Sequence, residues 1–367
     1  MNNTTGTVLI VGASGLVGTA AAKSFLDQGW QVITASRRSP ELLAGRDFRH
    51  ISLDLQDADA CRQSVKGLRD VTHVVYTAVY ELPGLIQGWA DPDQIATNGQ
   101  MLQNLIEPLS RTAKLQHVTV LQGTKAYGIT VGPMRVPARE GQPRVEHPNF
   151  YWLQEDYIKA KAATANFAYT IFRPQLIVGP NHGVVMNLPP ILGVYAAIRK
   201  YEGLPFSFPG GADGVWEAVD VRLVGNACLW AATHSQAYGE IYNLTNGEVF
   251  MWRDMWPAIA ETLGVPIGAD ESVSMADYLP ARSGVWNKIV QEHDLQPVAM
   301  EALLGESHYY ADFVLNYGRD APPPPAFVST VKIKQAGFAE TCNSEQSFCH
   351  WLRDLQHRKI LPVLENK

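Results

Sequence analysis

Cysteine is scarce in this chain. Its 367 residues hold four, Cys61, Cys228, Cys342 and Cys349. They are scattered and show no metal-ligand spacing, which fits reduced thiols in a cytoplasmic protein and argues against a zinc site. Long apolar runs are also lacking; none approaches the length of a membrane span. Basic charge is not in excess. Thirty Lys and Arg face 36 Asp and Glu, for a net charge of −6. Such a balance offers nothing to nucleic acid or to an anionic membrane surface. Residues Met1 to Thr5 lack the basic region and apolar stretch of a secretory signal. The expected partner is therefore a small molecule, with a homodimer allowed. The length suits one large domain or two modest ones with a sizeable core.

Glycine, by contrast, is concentrated where it carries chemistry. Thr7 to Val11 is a short, β-branched apolar run that reads as a buried strand. Gly12-Ala13-Ser14-Gly15-Leu16-Val17-Gly18 follows at once, and Thr19 to Leu26 reads as a helix. Strand, glycine turn and helix together predict a dinucleotide site. Gly12 makes the tight turn, Gly15 lets a pyrophosphate approach the main chain, and Gly18 lets the helix pack close to the strand. The backbone around Ser14, Leu16 and Val17 then offers free N–H groups at the positive end of the helix dipole. The second strand, Trp30 to Ala35, ends in Ser36-Arg37-Arg38 rather than in an acidic residue. A hydroxyl and two guanidiniums suit the 2′-phosphate of NADPH.

Further strands are expected at Arg49 to Leu53, Thr72 to Ala78, Leu115 to Gln122 and Tyr169 to Pro174. Helices are expected at Ala58 to Leu68, Gln94 to Lys114 and Asn149 to Asn166. Strictly alternating strands and helices predict an α/β fold with a Rossmann-type, doubly wound parallel sheet. Its cofactor contacts lie at the carboxyl ends of strands, which adds Leu55, Thr77, Ala78 and Val178 to the candidates. Asp54 resembles the aspartate that commonly meets the adenine amino group in the wider short-chain dehydrogenase group, with a turn or N-cap aspartate as the alternative. From Gly179 onward the pattern loosens. Helices are expected at Pro189 to Tyr201, Arg222 to Thr233, Trp252 to Leu263, Asp277 to Gln291 and Ser344 to His357. Short strands are expected at Pro205 to Phe208 and Tyr242 to Leu244. Residues 1–180 thus read as the dinucleotide-binding domain, with a return segment near 215–245. The remainder of 181–367 reads mostly as a smaller, mixed substrate lobe. Asp220 is expected to cap the helix that follows it.

A nicotinamide enzyme needs a group to handle the substrate oxygen. Short-chain dehydrogenases use a tyrosine with a lysine one helical turn later, and Tyr157 with Lys161 has that spacing. The surrounding sequence points elsewhere. Asn149-Phe150-Tyr151-Trp152-Leu153-Gln154-Glu155-Asp156 and Leu121-Gln122-Gly123-Thr124-Lys125-Ala126-Tyr127-Gly128 resemble a divergent branch, the progesterone 5β-reductase and iridoid synthase family. Met186-Asn187-Leu188, Tyr201-Glu202-Gly203 and Asn246-Gly247-Glu248-Val249-Phe250-Met251-Trp252 resemble it too, so the likeness spans the chain. In that family the tyrosine stands in an NFYY…ED sequence and the lysine in LQTGxKHYxGP. The matching positions are Tyr151 and Lys125. The chain departs from the pattern at Ala126, where the family has His, at Trp152 and at Gly128-Ile129, and its lysine loop is one residue shorter. Tyr157 lies six residues after Tyr151 and about 120° around the helix from it. It should not share the cofactor-facing position; a solvated surface is the expectation for Tyr157 and Lys161.

The resemblance implies NADPH-dependent 1,4-reduction of the C=C bond of α,β-unsaturated carbonyl compounds. It implies that Tyr151 donates a hydrogen bond to the enolate oxygen. Lys125 would favour ionised Tyr151 and hold the nicotinamide ribose. Met186, Tyr127 and Trp216 are the expected substrate contacts. Phe250 and Trp252 are further candidates, with a core role the commoner fate of each. The alternatives are a carbonyl reductase or sugar-nucleotide epimerase using Tyr157 and Lys161, and a non-catalytic NADPH-sensing protein.

Overall fold

Seven parallel strands form the central sheet of the computed structural model, which describes residues 5–364. The residues Met1 to Thr4 of the signal-peptide reading lie outside that range. In chain order the strands are β1 (Thr7–Val11), β2 (Gln31–Ser36), β3 (Arg49–Ser52), β4 (Val71–Tyr76), β5 (His117–Leu121), β6 (Ala168–Pro174) and an edge strand, Glu240–Leu244. Their order across the sheet is edge strand, β6, β5, β4, β1, β2, β3. The order reverses between β1 and β4. A crevice opens there at the strands' carboxyl ends, where ligands of such sheets bind.

Both faces of the sheet are covered, so its strands read as continuous apolar runs. Along β1, Val8 and Ile10 pack with α1 (Leu16–Asp27) and α6 (Val221–Thr233), while Leu9 and Val11 pack with α2 (Ala58–Ser64), α3 (Pro92–Thr112) and α4 (Phe150–Ala165). This is the period of two of a β-strand. α1 begins three residues earlier than the sequence suggested. Gly18 therefore lies inside the helix, where a Cβ would come within 2.3 Å of the Gly12 carbonyl oxygen. Gly12 itself is left-handed, with φ of 78°. Both glycines are needed for the helix to start this close to the strand.

The second lobe is built on α5 (Pro189–Tyr201), which is buried along nearly its whole length. It packs against α7 (Trp252–Leu263) and the last helix, Ser344–His357. Two expectations fail here. The Pro205 to Phe208 segment makes only an isolated bridge, Phe206 to Ile267. Pro205 lacks the N–H a ladder needs, and the Phe206 ring instead stacks on Trp256 at 4.4 Å. The helix expected over Asp277 to Gln291 is three pieces, Met275–Tyr278, a 3₁₀ turn at Pro280–Arg282, and Ser283–Glu292. Pro280 breaks it by removing an i→i−4 bond. Three short helices, Met300–Leu304, Ser307–Val314 and Val331–Gln335, have no counterpart in the sequence reading. Asp220 does cap α6: its side chain accepts from Arg222 N.

Candidate active site

The glycine turn leaves the α1 N-terminus bare. No side chain caps it, and no acidic residue occupies its first turn. Its free N–H groups and dipole are what a pyrophosphate requires. Beside it lies a polar cleft of about 430 Å³ lined by Ser14, Thr19 and Arg38 from the sheet half and by His182 and Arg358 from the second lobe. Arg37 and Arg38 are exposed at the end of β2, and the Ser36 hydroxyl is spent on the Arg38 carbonyl at 2.7 Å. Asp54 forms a turn, accepting from Gln56 N at 3.0 Å, and the Leu55 carbonyl accepts from Asn104. The set fits a dinucleotide whose adenosine end meets cationic side chains.

On the other side of the glycine turn a cavity of about 250 Å³ extends from Gly15, Leu16 and Val17 past Thr77 and Ala78 into the second lobe. Tyr151 and Lys125 both line it. One residue ties them together. Asn149, the N-cap of α4, accepts from Tyr151 N at 3.0 Å and donates to the Lys125 carbonyl at 3.2 Å. Gln122, at the end of β5, donates to the Tyr151 carbonyl at 3.2 Å. The phenol hydroxyl has no hydrogen-bond partner among the described residues and faces the cavity. A Cβ on Gly123 would come within 3.2 Å of that oxygen, so glycine keeps its place clear.

Lys125 is shared among several neighbours. Its Nζ lies 5.9 Å from the Tyr151 ring centroid, 4.1 Å over the Trp89 ring and 4.0 Å from Glu81 Oε1. Burial, then the negative charge of Glu81, pushes the Tyr151 phenol well above its ordinary value, against an opposing pull from Arg173. These influences together favour the protonated phenol. Burial lowers Lys125 while Glu81 acts to restore it.

Other candidates part company with the cavity. Tyr127 is buried beside Met134, Ala138 and Val328, with its hydroxyl on Asn243 Oδ1 at 2.5 Å, and does not line it. Val178 pairs with Asp220 in a two-residue ladder and is fully buried; its neighbours Leu176 and Ile177 line the cavity instead. Trp252 is core, as the commoner fate of such a residue requires. Met186 and Trp216 do line the cavity. Met186 and Leu176 both hold left-handed backbone, with φ of 60° and 40°. Such strain in residues with side chains persists only where the surroundings enforce it.

Tyr157 and Lys161 lie elsewhere on α4. Both reach Glu107 of α3, at 3.3 and 2.8 Å. They are partly buried and paired rather than solvated, because α3 packs along that face. Tyr157→Phe is expected to change turnover by less than about twofold and stability by no more than about 1 kcal/mol, the worth of a half-exposed contact. Steady-state assays and urea melts check this.

Sequence reasoning missed Glu81, Trp89, Tyr310 and Phe313, all in the cavity wall. Trp89 lies in Pro83 to Asp93, which reads only as a looser Gly-, Pro- and Trp-bearing stretch, and Glu81 lies just before it. The other two lie on the unforeseen helix Ser307–Val314. The three-residue spacing of Tyr310 and Phe313 was the available signal.

Residues 8–245 match the model of the NAD dependent epimerase/dehydratase family. The chain belongs to that family, and its cofactor is a nicotinamide dinucleotide. Its place within the family is the progesterone 5β-reductase/iridoid synthase-like group. It is 30% identical to an (S)-8-oxocitronellyl enol synthase of Antirrhinum majus, over 96% of this chain and 92% of that one. It is also 30% identical, with the same coverage, to a 3-oxo-Delta(4,5)-steroid 5-beta-reductase of Arabidopsis thaliana. Among solved structures, a UDP-glucose 4-epimerase of Thermotoga maritima with UDP-glucose superposes with a TM-score of 0.67 at 15% identity, covering 96% of this chain and 99% of that one. That likeness concerns the fold.

Proposed function

We propose that the protein is an NADPH-dependent ene-reductase acting on the C=C bond of α,β-unsaturated carbonyl compounds. The observation that carries this reading is the unpartnered Tyr151 hydroxyl facing the same cavity as Lys125, the glycine turn and the β4 end. The reduced nicotinamide, when bound, supplies hydride to the substrate's β-carbon. Negative charge then grows on the carbonyl oxygen, and Tyr151 donates to it. A placed neutral donor in a water-poor site stabilises such an oxyanion without reorganising. Aromatic and aliphatic walls from Trp89, Phe150, Trp216, Tyr310 and Met186 suit an apolar enone or enal and exclude water. The names of the relatives, a steroid reductase and monoterpenoid enol synthases, support the same chemistry. The full pairing of Tyr157 and Lys161 with Glu107 weighs against the carbonyl reductase and epimerase alternatives.

The test is cofactor oxidation with 2-cyclohexenone and progesterone, with product analysis. Saturated ketone is expected. Consumption only with simple ketones or UDP-sugars, or with nothing across an enone panel, overturns the reading. Cofactor choice is tested separately. Arg37→Ala with Arg38→Ala is expected to raise the KM for NADPH roughly 10–100-fold, the loss of charge-assisted bonds to a phosphate. The KM for NADH should hardly move.

A further inference from the structure

Glu81 has no role in the chemistry derived so far, yet it is one of the most constrained groups in the site. It lies beyond the end of β4, with its side chain 5% exposed. Oε2 accepts from Gln94 Nε2 at 2.6 Å, and Gln94 Oε1 in turn accepts from Leu82 N at 2.7 Å. Gln94 is in the first turn of α3, so the carboxylate is anchored to a long helix. Oε1 is buried, has no hydrogen-bond donor, and faces Lys125 Nζ at 4.0 Å. A buried carboxylate without a partner is costly. Burial pushes the Glu81 carboxyl above its ordinary value, while Lys125 and the Gln94 hydrogen bond act to lower it. In its ionised form, with one oxygen fixed and the other aimed at an ammonium, it places a counter-charge at a chosen point. The ammonium lies between that carboxylate and the face of Trp89.

We propose that Glu81 is a positioning residue that holds Lys125 against Trp89 and cancels its charge, so that Tyr151 works as a neutral hydrogen-bond donor and never as a phenolate base. The proposal rests on Tyr151 serving as the donor to an enolate. It goes further, by explaining which redox direction the site serves. Reduction of C=C needs a donor at the carbonyl oxygen but no base: hydride adds at the β-carbon, and the resulting enolate or enol takes its α-carbon proton from solvent water. Oxidation of a secondary alcohol by NADP⁺ needs a base: the C–H bond breaks with its electron pair leaving as hydride, and the O–H proton passes to a tyrosinate. A free lysine cation beside the phenol favours that tyrosinate. A neutralised one does not. The groups facing the phenol are Glu81 from the loop after β4, Lys125 from the turn after β5, Arg173 at the end of β6 and Tyr310 from the helix Ser307–Val314. Burial, Glu81 and Tyr310 favour the neutral phenol, and Arg173 opposes them.

The test is Glu81→Gln, which keeps the shape and an acceptor for Gln94 but removes the charge. The alkaline limb of kcat for 2-cyclohexenone reduction should move down by about one pH unit or more. Oxidation of 2-cyclohexen-1-ol by NADP⁺ near pH 9 should rise roughly tenfold over the parent, the equivalent of one such unit. Adding Lys125→Met should return the limb toward its parental position, since the double variant removes both of the opposed charges. Lys125→Met alone, which leaves Glu81 uncompensated, should move it upward and reads the same coupling if Glu81→Gln does not fold. An unmoved limb in Glu81→Gln with parental NADPH affinity overturns the proposal, as does an unmoved limb in Lys125→Met. Tyr151→Phe separates the two failures. Turnover at parental speed in that variant sinks the donor reading, and this inference with it. Lost turnover with an unmoved Glu81→Gln limb sinks only the inference.

Discussion

Tyr151→Phe is expected to lower kcat for an enone by about 10²–10³-fold, the usual consequence of deleting one oxyanion donor. The dinucleotide Kd should change by less than about fivefold, because the binding energy resides chiefly in the phosphate contacts. The substitution isolates one atom. The ring packs edge-on to Phe150 at 4.7 Å, and phenylalanine keeps that contact. The backbone of residue 151 keeps its bonds to Asn149 and Gln122. The lost hydroxyl has no protein partner among the described residues, so its removal orphans nothing and the fold should not notice. Stopped-flow single turnovers would place the loss in the chemical step. Unchanged single-turnover rates would show that the enolate oxygen is stabilised by some other group.

Arg173→Met is expected to cost about 3–5 kcal/mol of stability, the largest effect of any single substitution considered. Arg173 is 4% exposed at the end of β6. It donates to Gln122 Oε1 at 2.9 Å and to Glu155 Oε2 at 3.0 Å. Breaking a buried pair from one side leaves the other charge uncompensated. Glu155 also accepts from Lys159 and Arg144, at 2.7 and 2.9 Å. Burial acts to raise its carboxyl, but these cations prevail and hold it down to about 2, against an ordinary 4.5. A depressed carboxyl contributes stability above its unfolded value and loses it on acidification. Between pH 4.5 and 2 the native protein should therefore lose on the order of 2 kcal/mol through this group, after discounting for solvent at its open flank. The variant should lose less. Urea midpoints at neutral and acid pH measure both effects. Gln122 and Glu155 both lie directly behind Tyr151, so partial unfolding here would also loosen the donor.

The carbonyl ends of the sheet were legible because their signals are local. Thr7–Val11, the glycines and α1 are contiguous, and each residue type answers a demand of its own position. The same holds for the start of α4, which the sequence places at Asn149, the residue that caps it. Tyr127 and Val178 lie outside the cavity wall for the opposite reason. Val178 follows Ile177, which does line the cavity, and in a strand side-chain direction reverses at every residue. Tyr127 lies two residues from the wall residues Lys125 and Ile129, in a 3₁₀ turn that aims its ring at Asn243. Glu81, Trp89, Tyr310 and Phe313 carried no local pattern that marked them as a site, since the loop and the helix that bear them meet only in space. Glu306 illustrates this: its Oε2 accepts from Gly84 N at 2.9 Å, across 222 residues.

By itself the sequence determined a doubly wound sheet, a dinucleotide turn and the absence of an acidic residue at the end of β2. It also offered two tyrosine–lysine pairs, one by spacing and one by resemblance. Tertiary structure decided their surroundings. α3 packs against one face of α4 and occupies Tyr157 and Lys161 with Glu107, while the turn after β5 brings Lys125 to the cavity beside Tyr151. It also decided which charges surround that second pair. A carboxylate 44 residues before Lys125 in the sequence lies 4.0 Å from it in the fold. Spacing rules describe neighbours along a helix, and Coulomb's law acts between neighbours in space.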